Sequence, residues 1–344
     1  MKNKTIAVDL AKNVFEIGVS ERPGHVKKTY RLSRGKFLKF FVDQPPSRVV
    51  MEACGSSHYW AREIGKLGHE VKLISPQYVK PYVRRNKTDR ADVKGLLEAD
   101  RNGDIHAVPV KTIEQQQLTG LHRIRSRWMA TRVARINTLR GLLREFGFII
   151  PVGARHVIPA ATALIEDAEV DMPRVLREVF HEMCTEIREL ETRIQSVEKR
   201  LEALAAQTPA VARLRSIPGI GLLTSTALVG FVGDVERFRS SRHFASYLGL
   251  TPREHSSGNV RRLGRISKRG DVYLRTLLIH GARSVLWSAH RKSITPSPLQ
   301  QWGLGIHEQR GYNKATVALA NKLARRVWAV WKRDSDYQAD YKAA

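Results

Sequence analysis

Nine apolar side chains, Leu176, Phe180, Met183, Ile187, Leu190, Ile194, Val197, Leu201 and Leu204, recur at alternating spacings of four and three. Such a seam runs along one face of a long helix and must be covered by another helix. It commits the middle of the chain to a coiled-coil-like helical hairpin or to self-association, and the spacing does not choose between them. Pro173 suits the first helical turn, with Asp171 as its cap. A less regular helix is expected over residues 118–146, ending near Gly147 and Pro151. It carries seven Arg and one acid, Glu145, while the later helix carries seven Glu against six basic residues. Those Arg either pair with Glu across an antiparallel hairpin or face nucleic acid.

The segment before the helices reads as α/β. Thr5–Leu10 is β-branched and apolar, and residues 14–19 alternate, with Glu16 and Gly18 between apolar neighbours. Residues 26–32, 48–51 and 71–74 read as further strands, the first of them exposed, and residues 59–67 have helical spacing. Three early hairpin-linked strands followed by strand–helix units is the order of a ribonuclease H-like fold. The last segment opens on Ser216-Ile-Pro-Gly-Ile-Gly221, a turn like that of a helix-hairpin-helix element. Gly219 and Gly221 could bring backbone amides to a phosphate, or form a tight turn between two core helices. A helix over residues 317–331 is amphipathic, with Trp328 and Trp331 at a core or an interface.

Charge divides the chain in the same places. Residues 1–110 carry net +9, residues 111–206 net +2 and residues 207–344 net +15, for a total of +26. The expected organisation is a basic α/β domain (1–110), a nearly neutral helical spacer or oligomerisation segment (111–206) and a strongly basic C-terminal domain (207–344). A small-molecule enzyme has no need of this charge. A polyanion partner does, because Lys and Arg displace counterions from a phosphate backbone. No apolar run of membrane-spanning length and no secretory core is visible, which places the protein in the cytoplasm. Cys54 and Cys184 stand far apart, without ligand spacing for zinc.

Against this basic background four acids stand out. Asp9 ends the first strand and Glu52 ends the strand of residues 48–51. A carboxylate in an otherwise buried strand is costly unless it is paired or bound to a cation. Asp89 and Asp92 share a helix face if a helix begins near Asp89, though Thr88 or Asp89 could simply cap it. Oxygen ligands of this kind suit Mg²⁺, with Mn²⁺ as a substitute. Arg84, Arg85 and Lys87, just upstream, are candidate nucleic-acid contacts. A second reactive stretch, residues 251–262, is polar and reads as a loop. It holds His255, Ser256 and Ser257 among Arg253, Arg261, Arg262, Arg265, Lys268, Arg269 and Arg275. A serine there could attack a phosphodiester whose developing charge the cations stabilise.

Several motifs together carry a resemblance. They are Ala7-Val8-Asp9, Met51-Glu52-Ala53, Asn86-Lys87-Thr88-Asp89-Arg90-Ala91-Asp92, Ser216-Ile-Pro-Gly-Ile-Gly221 and Tyr247-Leu-Gly-Leu-Thr-Pro-Arg253, with Ser256-Ser-Gly258 and Arg262-Leu-Gly-Arg-Ile-Ser-Lys-Arg-Gly270. Over nearly the whole chain the sequence resembles the DEDD-type insertion-sequence transposases of the IS110 family, IS1111 subgroup, with Piv-type DNA invertases as relatives. One departure is Cys54-Gly55-Ser56 after Glu52, where relatives often carry a Thr-Gly or Ser-Gly step. The resemblance implies a RuvC-like domain holding Mg²⁺ through Asp9, Glu52, Asp89 and Asp92. It also implies a C-terminal transposase domain whose nucleophile is Ser257, with Ser256 the less favoured choice. It implies donor and target DNA, a guiding bridge RNA, a covalent phosphoserine intermediate, and a homodimer assembling to a tetramer in the bacterial or archaeal nucleoid. Two other readings compete: a metal-dependent Holliday-junction-type nuclease acting by hydrolysis, and a non-catalytic nucleic-acid-binding protein whose acids are caps and ion pairs.

Overall fold

The computed structural model describes residues 4–22, 25–83, 88–290 and 295–339. The chain divides into two compact units, Met1–Thr112 and Ile113–Ala344. In the first unit the strands are β1 (Thr5–Leu10), β2 (Val14–Ser20), β3 (Lys28–Ser33), β4 (Arg48–Glu52) and β5 (Glu70–Ile74). Helix α1 (Phe37–Val42) precedes β4, α2 (Ser57–Lys66) precedes β5, and α3 (Pro76–Val79) and α4 (Asp89–Arg101) follow it. The sheet order is β3-β2-β1-β4-β5. β1, β2 and β3 pair antiparallel, and β4 and β5 add on in parallel.

Side-chain alternation splits this unit into two cores. Ile6, Val8, Val49 and Met51 pack beneath α1 and α2 with Phe37, Phe41 and Trp60. Ala7, Val50 and Ile74 face the other way, against Val93, Leu96 and Leu97 of α4. The parallel strands are therefore apolar on both faces, as a sheet covered on both sides requires. The strand over residues 26–32 forms two residues later, as β3, and is exposed as its lysines demand.

The second unit begins with α5 (Ile113–Glu145), α6 (Val157–Glu166) and α7 (Arg174–Ala206). α5 and α7 are antiparallel, and the apolar seam of α7 closes onto α5 and α6 within the chain. Cys184 and Ala205 take the buried positions expected of Met183 and Leu204, because a 3.6-residue helix drifts from a strict heptad. Asp171 is not the cap. Pro173 itself is the extended residue before the first turn, and α7 opens at Arg174. Arg125, Arg132 and Arg135 pair with Glu198, Glu191 and Glu186 across the hairpin. The partner numbers fall as those of α5 rise, so these arginines serve the hairpin itself.

The remaining elements are α8 (Pro209–Arg215), α9 (Leu222–Val232), α10 (Ser241–Tyr247), β6 (Pro252–Glu254), β7 (Leu263–Ile266), α11 (Val272–Ala289), α12 (Pro298–Arg310) and α13 (Tyr312–Arg333). They share one core with the base of the hairpin, from Leu118, Val197 and Leu201 to Leu278, Leu319 and Val327. Among the described residues no helix is long and apolar enough to cross a membrane.

Helix α9 is buried almost throughout, and its polar groups are satisfied locally. Thr226 Oγ1 donates to Leu222 O at 2.6 Å, which leaves it to accept from His122 Nε2 at 2.9 Å. His122 Nδ1 then accepts from the Tyr273 hydroxyl at 2.9 Å. Both ring nitrogens are thus satisfied in the neutral form. Burial, and secondarily the Arg125 charge, lowers the His122 pKa to about 4. The folded pKa lies below the unfolded value, so this stability is present above pH 6.5 and is lost as pH falls toward 4. Urea denaturation at pH 7.5 and pH 4.5 should therefore differ by about 2–3 kcal/mol more in the wild type than in His122→Asn.

Candidate active site

The sheet brings two of the expected acids to neighbouring positions. β1 and β4 run parallel with Val8 opposite Met51, so the next residues, Asp9 and Glu52, stand level at the carboxyl ends of adjacent strands. Both continue the face of Ala7 and Val50, which packs beneath α4. Helix α4 runs opposite to these strands. Near its carboxyl end, Asp100 pairs at 2.8 Å with Arg48 at the start of β4 and at 2.8 Å with Lys72 of β5. Midway, Val93 lies over Gly18, where a Cβ would fall 2.3 Å from Val93 Cγ1. Gly18 is paired with Ala7, two residues short of Asp9. Two strand residues span about 6.6 Å, and the helix from Val93 back to Asp89 spans about 6 Å. The first turn of α4 therefore overhangs the strand ends that carry Asp9 and Glu52.

Thr88 is the cap of α4, its Oγ1 accepting from Ala91 N at 3.3 Å. Asp89 and Asp92 are thereby released from capping duty and share the first turn. Asp9, Glu52 and Asp92 are not free; each has interactions with its neighbours. Among the described residues no three or more His, Cys, Asp or Glu side chains stand close enough together to hold a metal ion. Carboxylates brought together without a cation repel one another, and Mg²⁺ commonly takes only one or two of them plus water and phosphate oxygens. An all-carboxylate donor set, level on two strands and overhung by a third element, fits a hard divalent ion. Arg84, Arg85 and Lys87 lie outside the described residues.

One acid at this end was not singled out from the sequence. Glu16 of β2 sits directly opposite Asp9 and points to the same face, yet it is buried. The alternation of residues 14–19 was visible, but its register against β1 depends on the length of the intervening turn.

In the second unit the stretch expected to be a loop is a β-hairpin, β6–β7, with Ser257 and Val260 bridged at its tip. Gly258 supplies the φ of +56° that the tight turn needs. The two serines differ. Ser256 Oγ donates to Glu254 Oε1 at 2.7 Å and accepts from Arg262 N at 3.2 Å. That hydrogen bond, and then the charge of Arg261, holds the Glu254 carboxyl below its usual range. The Ser257 hydroxyl has no hydrogen-bond partner among the described residues and is exposed. Both His255 and the cations Arg262, Arg265, Lys268 and Arg269 are exposed as well.

The base of the hairpin is clamped by backbone contact. A Cβ on Gly249 would stand 2.0 Å from Arg269 O, and one on Gly270 would stand 2.0 Å from Tyr247 O. Buried Arg275 ties the same place together, donating to Leu248 O and Arg269 O, so it is a scaffold residue and not part of the exposed set. Arg253 is partly committed too, to Ser267 O at 3.1 Å. At the other glycine motif, Gly219 lies against Gly281 of α11, where a Cβ would meet Gly281 O at 2.8 Å. Gly219 thus lets the turn between α8 and α9 pack closely on α11, while Gly221 has nothing within 4 Å of its Cβ position.

Comparison with known proteins identifies the family. The Transposase IS116/IS110/IS902 family matches residues 211–295, and a DEDD transposase model of the IS110 type matches residues 6–148. A probable family 20 transposase of Pseudomonas aeruginosa is 42% identical over 98% of this chain and 99% of its own. The chain belongs to the IS110/IS116/IS902 transposase family. The transposase for insertion sequence element IS1111A of Coxiella burnetii is 39% identical, covering 97% of this chain and 91% of its own. A pilin gene-inverting protein of Moraxella lacunata is more distant, at 23% identity over 98% of both chains. This transposase is accordingly a DNA-processing enzyme of phosphoryl transfer that mediates insertion-sequence transposition. DEDD transposases typically use divalent metal ions.

The position of α4 depends on Asp100. Asp100→Ala leaves Arg48 and Lys72 without their shared counter-charge and is expected to destabilise the first unit by about 2 kcal/mol. Hydrogen exchange of the β1 and β4 amides reads this directly, and unchanged protection would show that apolar packing alone fixes the helix.

Proposed function

We propose that this transposase cuts and rejoins DNA by serine attack, with Asp9, Glu52, Asp89 and Asp92 holding Mg²⁺ or Mn²⁺ and Ser257 as nucleophile. The reading rests on one contrast: Ser257 presents an uncommitted hydroxyl among exposed cations, whereas Ser256 is engaged with Glu254. The strand order β3-β2-β1-β4-β5, with acids at the ends of β1 and β4, supports a ribonuclease H-like, RuvC-like first domain. Bound divalent ions would neutralise charge on the reacting phosphate.

The chain's own residues account for the rest. Ser257 Oγ forms a bond to phosphorus as one P–O bond to a sugar breaks, and the serine proton ends on the released sugar hydroxyl. Arg262 and Arg265 are placed on the hairpin to offset the charge of the five-coordinate phosphorus. The phosphoserine keeps the bond energy, so a hydroxyl from another strand can displace the serine and restore a phosphodiester without an external energy source. Hydrolysis would discard that bond. The C-terminal segment's charge of +15 suits a structured RNA as well as DNA. A bridge RNA would read sequence by base pairing while protein reads backbone and shape. Strand exchange between two duplexes favours a dimer that assembles to a tetramer.

The test uses DNA bearing the element's ends, the RNA that co-purifies with the protein, and Mg²⁺, with products resolved under denaturing conditions. Wild type and Ser256→Ala should yield a protein-linked strand. Ser257→Ala and Asp9→Asn should lose it by 100-fold or more while RNA binding survives. An adduct that persists in Ser257→Ala moves the nucleophile elsewhere. Cleavage with no protein-linked strand at all would favour the hydrolytic junction nuclease.

A further inference from the structure

The geometry points to Glu16 as a further metal-binding carboxylate, holding a divalent cation together with Asp89 in the cleft between the β2–β3 hairpin and the first turn of α4. The inference deepens the metal-site reading above and rests on it. Four observations carry it. Glu16 is nine-tenths buried, at 9% exposure, in a strand whose other buried residues are apolar, glycine or the small Ser20. Its carboxylate has no hydrogen bond and no ion pair within 4.0 Å among the described residues. Its register opposite Asp9 aims it at the face that α4 overhangs. It also lines a cleft of about 410 Å³ with Thr88, Asp89 and Arg90 of α4 and Thr29, Tyr30 and Arg31 of β3.

Most of Glu16 is buried while its carboxylate opens onto the cleft, so a cation entering there would meet a carboxylate that no ion pair neutralises. Two carboxylates facing one cleft are enough for Mg²⁺, which fills its remaining positions with water or phosphate oxygens. The cleft has room for this, since each water occupies about 30 Å³. The competing explanation is an ion pair with Arg31, which stands opposite Glu16 on β3. Arg31 and Arg90 line the same cleft, yet neither lies within ion-pair distance of Glu16. In a cleft that binds a cation and a phosphate, the two guanidiniums have a use as phosphate contacts.

Binding of Mn²⁺ to the full-length protein, followed by the electron paramagnetic resonance signal of the free ion, tests this. Wild type, Glu16→Gln, Asp9→Asn and Arg31→Gln are compared, with the metal-free melting temperature of each. Glu16→Gln should weaken Mn²⁺ at least tenfold, as should Asp9→Asn, while Arg31→Gln should keep it. Loss in Asp9→Asn with wild-type binding in Glu16→Gln overturns the role of Glu16 and leaves the four-carboxylate site standing. No saturable binding in any protein overturns both. Equal loss of stability in Glu16→Gln and Arg31→Gln, with Mn²⁺ binding intact, replaces the inference with the ion pair. A measurement on the unaltered protein guards against a variant that fails to fold. Fe²⁺ with ascorbate and peroxide cuts backbone beside a bound ion, and cuts are expected in β2 near Glu16 and in the first turn of α4. Cuts near Asp9 and Glu52 alone would again exclude Glu16.

Discussion

The angle and height at which α4 crosses the sheet govern the chemistry of the first unit. Two contacts set them. Gly18 removes a side chain from β2 so that Val93 can settle onto the strand, and Asp100 pins the far end of the helix to Arg48 and Lys72. Between these anchors Leu96 and Leu97 bury against Ala7 and Val50. With the helix held at its middle and its carboxyl end, the amino-terminal turn has one place to go: over the strand ends. Acids three residues apart on that turn are thereby turned toward the strand ends that carry Asp9 and Glu52, without any of them having to be near in sequence. An ion pair at one end of a helix thus fixes where the acids at the other end lie, because a helix is stiff over about 20 Å.

The second unit solves a different problem, how to hold an exposed hairpin still. A two-stranded ribbon of this length is marginal by itself. Here its base is fixed by main chain lying against main chain at Gly249 and Gly270, with Arg275 bridging two carbonyls beneath. Any side chain at either glycine would push the strands from the core. The tip remains free of such constraint, which leaves Ser257 and the flanking cations available to a substrate while the stem stays ordered. Ser256, tied to Glu254 and to the Arg262 amide, stiffens the upper half.

How much of this was legible in the sequence follows from which forces act locally. β1 was readable to the residue, because a β-branched run bounded by a polar turn has one local solution. The α7 seam was readable from its period, while a helix near Asp89 was only one of the readings its spacing allowed, with Thr88 and Asp89 both open as its cap. Glu16 was not readable as a site residue. Its meaning comes from pairing with Asp9 across a turn and from the arrival of a helix some 75 residues later. The β6–β7 hairpin was hidden for a related reason: its strands are short, exposed and basic, so no apolar alternation marks them. For Gly219 the sequence left a phosphate turn and a tight core turn both open, because its neighbour across the core, Gly281, is distant in sequence.

The same distinction changes what the net charge of +26 means. Counted along the sequence, every arginine is a candidate for phosphate. In the fold, Arg125, Arg132 and Arg135 are matched to glutamates across the helical hairpin, Arg48 and Lys72 to Asp100, and Arg275 to two carbonyls. These groups are tied up in holding elements together, and a nucleic acid would have to compete with short bonds, all but that of Arg135 partly buried, to engage them. The exposed set on the hairpin, Arg262, Arg265, Lys268 and Arg269, has no ion-pair partner within 4.0 Å among the described residues. Salt dependence of binding counts only cations that exchange counterions for phosphate. It should therefore discount the groups tied up in the fold and include the exposed hairpin set.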